Sequence, residues 1–224
     1  MRGPEPDADA LLALPLVGAL IGTLAGFAGL GVARIGPHAL AAATALCVLV
    51  VASGAIHLDG FLDCCDALFA SVSPARRREI LKDPRHGSFA LAGLLCAGTT
   101  WFAALLVLPV TAYPAVLAFS GALARTAALA NAFRFPDPRR TRPPLAPFAS
   151  IVVVLTTAAF WLEPLASITV PAALAASLLL GRWVTSRLEG SFPGDAYGFA
   201  IVLIDVLTIA ALAAGAAGGG PGGG

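Results

Sequence analysis

Apolar runs recur along this chain, near residues 11–33, 38–56, 87–109, 113–133, 148–162, 166–181 and 197–217. A helix needs about 20 apolar residues to cross roughly 30 Å of hydrocarbon, and inside lipid the backbone must satisfy its own polar groups. The pattern predicts an all-α fold, a polytopic transmembrane helical bundle of about seven spans. Residues 148–181 are too long for one crossing, and Glu163-Pro164 predicts a turn that divides them; without that division the count is six. Composition agrees: 12% of residues are charged, about half the usual share for a soluble domain, and 58% are hydrophobic. The 24 glycines and 17 prolines are scattered through apolar runs, as in transmembrane helices, and do not signal disorder.

Basic residues orient the bundle, because Lys and Arg of short loops collect on the cytoplasmic side. Arg2, Arg76, Arg77, Arg78, Lys82, Arg85, Arg134, Arg139, Arg140, Arg142, Arg182 and Arg187 all fall on one side of the predicted spans. The opposite side has only Arg34, and Arg125 lies within the fourth run. The N-terminus and three polar loops are therefore expected to be cytoplasmic. The opening MRGPEPDADA is acidic, unlike the basic start of a cleavable signal, so the first run is expected to be retained. Residues 1–217 are read as a single integral membrane domain and 218–224 as a glycine-rich tail. Cys47, Cys64, Cys65 and Cys96 lack metal-ligand spacing and are read as small packing residues. A net charge of +1 gives no reason to expect a nucleic-acid partner. The lipid bilayer is an expected partner, and the sequence leaves monomer and homo-oligomer open.

The stretch SGAIHLDGFLDCCDALFASVSP, residues 53–74, concentrates acid at one membrane-adjacent point. At about 100° per residue, Asp63 lies about 40° from Asp59 on one flank and Asp66 about 20° on the other. Three ionised carboxylates at mid-bilayer would cost roughly 8–10 kcal/mol, so they belong at the rim or in a wet cavity. On one face they also repel one another unless a cation or basic partner intervenes. Oxygen donors at this density suit Mg²⁺, which takes one or two carboxylates, keeps waters and uses substrate phosphates. The competing reading is a solvated helix whose aspartates pair with Arg76–Arg78.

His57 lies about 160° from Asp59, off the acidic face; it is a candidate proton carrier or orienting group rather than a ligand. In RRREILKDPRHGSFA, residues 76–90, Arg78, Lys82 and Arg85 are candidate phosphate-binding groups. Asp83, held extended before Pro84, is a candidate to turn back toward the acidic face. The same Arg run serves equally well as a cytoplasmic anchor. In RLEGSFPGDAYG, residues 187–198, Gly190, Gly194 and Gly198 leave room for backbone to approach a ligand. Asp195 is either a functional carboxylate or an N-cap. Asp205, about 15 Å further along, is an intramembrane ionisable group, either functional or neutral and hydrogen-bonded.

In this order and spacing, HLDGFLDCCDALF, REILKDPRHGSFA and GSFPGDAYG resemble the cobalamin synthase family, the adenosylcobinamide-GDP ribazoletransferases. His57, Asp59, Gly60, Asp63 and Asp66 match its first motif, with Ala67 in place of a final glycine. Ile80, Lys82, Asp83, Gly87 and Phe89 match the second, with Leu81 and Ala90 departing. Gly190, Gly194, Asp195 and Gly198 match the third, where Glu189 and Pro193 replace Gly and Thr. Asp205 falls near a family Glu. The resemblance implies a Mg²⁺-dependent enzyme of the bacterial or archaeal cytoplasmic membrane. Its substrates would be adenosylcobinamide-GDP and α-ribazole or its 5′-phosphate, with GMP released. It further implies Asp59, Asp63 and Asp66 as metal ligands and His57, Lys82, Asp83 and Asp195 as catalytic. Arg78, Lys82, Arg85, Gly87, Gly194 and Gly198 would bind substrate.

Three other readings use the same acidic face. A CDP-alcohol phosphotransferase wants D-G-x-x-A-R after its leading Asp, where DGFLDCC stands here, and a prenyltransferase wants two Asp-rich motifs on separate helices. A cation transporter would distribute acidic residues along a path, whereas here they gather on one side.

Overall fold

In the computed structural model, residues 8–135, 144–162 and 167–218 are described, and among them no strand occurs. The helices are α1 (Ala8–Val32), α2 (His38–Ala52), α3 (Ile56–Phe69), α4 (Pro74–Ile80), α5 (Ser88–Val107), α6 (Tyr113–Arg134), α7 (Leu145–Leu162), α8 (Thr169–Arg187) and α9 (Gly194–Gly218). The loop carrying Arg139, Arg140 and Arg142, the Glu163-Pro164 turn, Arg2 and residues 219–224 of the 218–224 tail lie outside the described residues, and Gly218 is the last residue of α9.

Each of the seven apolar runs is helical over most of its described length. By length and composition, α1, α5, α6 with its preceding turn, and α9 are able to cross a membrane. The run at 38–56 is not one straight element. Helices α2 and α3 pass the same test only as a pair bent by 90°, which makes four candidate spans among the described residues, or five with the pair taken as one. The corner is made by backbone: Gly54 and Ala55 both adopt left-handed φ, 64° and 56°. At 15 residues α2 rises only about 22 Å.

The centre of the bundle is α6, in which every residue from Phe119 to Asn131 is buried. Burial on every side makes it the interior helix, and its many alanines let neighbours come close. The closest neighbour is α1. A Cβ added at Gly18 would collide with the Gly121 backbone, one at Gly22 with the Leu117 carbonyl, and one at Gly26 with Pro114. Three glycines spaced four apart thus form a single stripe on α1 that lies directly on α6, the small-residue contact by which membrane helices pack. Helix α8 is joined to α6 by Asn131 Nδ2 donating to Ser177 Oγ at 2.8 Å.

The two ends of the bundle differ. At one, His38 Nε2 lies 2.9 Å from Tyr113 Oη, which donates to the Leu105 carbonyl at 2.7 Å, tying α2, α6 and α5 together. At the other, α3 crosses the first turns of α5 and α9. There a Cβ at Gly60 would lie 2.9 Å from the Asp195 carbonyl oxygen, and one at Gly198 equally close to that of His57.

Candidate metal centre

The 3.6-residue period of α3 sets Asp59 and Asp63 on one face, one turn apart. Asp59 is exposed, and Asp63 is screened to 18% side-chain exposure. The segment between α4 and α5 then brings in His86, whose Nε2 lies 3.8 Å from Asp59 Oδ1 and whose Nδ1 lies 3.5 Å from Asp63 Oδ1. One donor atom from each of the three lies within 4.8 Å of the others. Asp63 also feels the charges of Asp195, at the start of α9, and of Asp66. Negative charge is crowded here, and His86 is the basic group that stands between Asp59 and Asp63 among the described residues, an arrangement that a cation relieves. His86 is the member that the sequence reading missed. Its signal was a histidine before Gly87 in the short polar island KDPRHGS, and its distance from Asp63 along the chain hid the pairing.

Asp66 shares the face by helical geometry but faces different partners. It is buried, and its Oδ2 accepts from Gly87 N–H at 2.5 Å and its Oδ1 from Ala90 N–H at 2.9 Å. The carboxylate thus fills the orphan donors at the start of α5, where negative charge is favoured. Asp66→Asn keeps the shape but turns a donor toward one of these N–H groups. It is expected to destabilise the protein by about 1–3 kcal/mol, read by thermal unfolding in detergent, with insertion unchanged.

The arginine run has partners of its own. Arg76 pairs with Glu79 at 2.6 Å on the surface, buried Arg77 donates to the Ala70 carbonyl at 2.9 Å at the end of α3, and Arg78 reaches Glu189 at 2.6 Å. Among the described residues none of the three pairs with Asp59, Asp63 or Asp66, so the acidic face is not neutralised by them. Asp83 turns to Arg85, which grips it through Nε at 2.9 Å and Nη2 at 2.7 Å. Those hydrogen bonds hold the Asp83 carboxyl down to about 2 and push the Arg85 guanidinium up. Lys82 is exposed and, among the described residues, makes no ion pair.

Gly87 and Gly198 serve helix contact: a Cβ at Gly87 would lie 2.9 Å from Asp66 Oδ1, and Gly198 packs on His57. Gly190 takes the left-handed φ of 83° that turns the chain from α8 toward α9, and exposed Gly194 opens α9. His57 stands off the acidic face and lines a cavity with Arg125 and Asp205. Cys64 and Cys65 are buried packing residues, and all four cysteines are free.

Fold and site together define a helical membrane protein with a carboxylate–histidine cluster where α5 and α9 begin. Comparison of the whole chain narrows that class. The chain belongs to the Cobalamin-5-phosphate synthase family, whose model matches residues 4–213. It is 34% identical to the adenosylcobinamide-GDP ribazoletransferase of Deinococcus radiodurans, over 92% of this chain and 76% of that protein. Proteins of the same name from Pseudomonas paraeruginosa and Klebsiella pneumoniae are 32% and 30% identical, over 95% and 90% of this chain and 90% and 86% of theirs. No solved structure matches.

Proposed function

We propose that the chain is an adenosylcobinamide-GDP ribazoletransferase acting at the cytoplasmic face of a bacterial or archaeal inner membrane. The 3′-hydroxyl oxygen of α-ribazole, or of its 5′-phosphate, attacks the cobinamide-side phosphorus of adenosylcobinamide-GDP. A new P–O bond forms, the P–O bond to GMP breaks, and the hydroxyl proton is released. The observation that carries this reading is the clustering of Asp59, Asp63 and His86 within 4.8 Å in a chain of this family.

The donor set fits Mg²⁺, with Asp59 and Asp63 as the carboxylates and substrate phosphates and waters completing the shell. When bound, the ion would supply neutralisation of the diphosphate charge. His86, an imidazole that such an oxygen-seeking ion does not need, stands beside the two carboxylates at 3.8 and 3.5 Å. Phosphoryl transfer asks a protein chiefly for positioning and charge stabilisation. Exposed Lys82 is our counter-charge for the departing GMP phosphate. Asp195, whose charge acts on Asp63, is our acceptor for the attacking hydroxyl's proton. Arg85 and Asp83, tied to each other, are assigned to shaping the loop that delivers His86.

The test is GMP release from adenosylcobinamide-GDP and α-ribazole by purified protein in detergent. Chelation with EDTA is expected to silence it and excess Mg²⁺ to restore it. Undiminished release after exhaustive chelation would remove the metal from the mechanism.

A further inference from the structure

The reaction as derived leaves unused a cavity of about 40 Å³ beneath the α2–α3 corner. Arg125 of α6, Asp205 of α9, Trp101 of α5, His57 of α3 and Ser53 at the corner line it. Arg125 and Asp205 are each 6% exposed and Trp101 8%. Arg125 donates through Nη1 to the Gly121 carbonyl at 3.0 Å, yet its Nε, Trp101 Nε1 and Asp205 Oδ1 are buried without a hydrogen-bond partner among the described residues. No direct ion pair joins Arg125 to Asp205 there.

Unpartnered polar atoms are costly in an interior, and more so where lipid surrounds it. These three complement one another: two are N–H donors and the third is an acceptor. Water accepts two hydrogen bonds and donates two, so it has the donor and acceptor capacity that these three atoms call for. A buried water needs roughly 10–15 Å³ of such space, so this cavity has room for one to about three. The lining also excludes other occupants. Arg125 opposes a cation, Asp205 opposes an anion, and an acyl chain leaves all three atoms unsatisfied.

We propose that this cavity is a buried hydration site, in which ordered water joins Arg125, Asp205 and Trp101 and braces the corner from which α3 extends. Its functional consequence is positional. His57, on the same wall, precedes Asp59 by two residues, so the hydrated cluster fixes the start of the helix that presents Asp59 and Asp63. Arg125 and Asp205 are positioning residues in this account.

The test uses full-length protein in detergent. A high-resolution map is expected to show one to three water densities within hydrogen-bond distance of Arg125 Nε, Trp101 Nε1 and Asp205 Oδ1; an empty cavity overturns the proposal. In a Trp161→Phe/Trp183→Phe background, the remaining indole reports on the site. Removing both charges with Arg125→Met and Asp205→Leu is expected to shift its emission to shorter wavelength, and an unmoved spectrum counts against hydration. Asp205→Leu alone is expected to speed amide exchange at residues 56–60 by at least about tenfold, and Asp205→Glu to return it to near the wild-type rate. Equal rates in wild type and Asp205→Leu overturn the bracing role. So does a Glu variant as fast as the Leu variant, because only side-chain size, and no restored carboxylate, would then matter.

Discussion

Asp63→Asn is expected to lower GMP release by at least about 10²–10³-fold while the protein still inserts and purifies as a folded species. Removing one preorganised charge-stabilising group from a site of this kind has effects of that order. Asp63 is the right residue for the test because it is the screened member of the cluster, 18% exposed against 67% for Asp59. Charges so screened interact more strongly than those in open solvent. Asp59→Asn should therefore cost less. Asparagine keeps the shape of the side chain, so packing around α3 survives. The substitution also relieves the repulsion that Asp63 experiences from Asp59, Asp195 and Asp66. The metal-free variant is thus expected to melt no lower than metal-free wild type, and wild type alone to gain stability when Mg²⁺ is added. Thermal scans with and without Mg²⁺, beside the GMP assay, check both halves. Wild-type turnover by Asp63→Asn would remove the proposed metal centre, and a Mg²⁺-induced rise shared by the variant would move the ion elsewhere.

The second large effect is structural and lies far from that cluster. Gly22→Val is expected to prevent α1 from seating on α6, with a cost of about 3 kcal/mol or more and little protein recovered as a monodisperse species. The reason is rigidity. The atoms that a new Cβ would strike belong to the Leu117 backbone, inside the most fully buried helix of the bundle, and backbone there has no room to withdraw. Gly31→Ala, in the same helix, is the control: a Cβ there meets nothing within 4 Å. It is expected to be neutral or slightly stabilising, because Ala loses less backbone entropy than Gly in a helix. Recovery is read by size-exclusion chromatography after detergent extraction. Normal recovery of Gly22→Val would refute the close α1–α6 contact.

These residues mark how far local pattern reaches. The apolar runs became helices because a lipid-compatible backbone has few other choices. Asp59 and Asp63 share a face because one helical turn separates them. The same rule put Asp66 beside them, and there it did not decide the outcome: the orphan N–H groups of Gly87 and Ala90 engage its oxygens from another helix. The break in the run at 38–56 had one visible sign, Gly54. The left-handed Ala55 that completes the corner has none, since an alanine ordinarily continues a helix. The arginine run showed its charge but not its partners, and Glu189 lies 111 residues from Arg78. Arg125 and Asp205 were each conspicuous as charges within apolar runs, and only packing of α6 against α9 brings them to one cavity.

By itself, then, the sequence determined a helical membrane protein with acid gathered at one point, because hydropathy and helical period are properties of neighbouring residues. That Asp66 is taken up by backbone N–H groups, that His86 stands beside Asp59 and Asp63, and that Arg125 and Asp205 line one cavity were decided by tertiary structure alone. Those outcomes depend on donors and acceptors that residues distant along the chain bring together, and no periodicity encodes that.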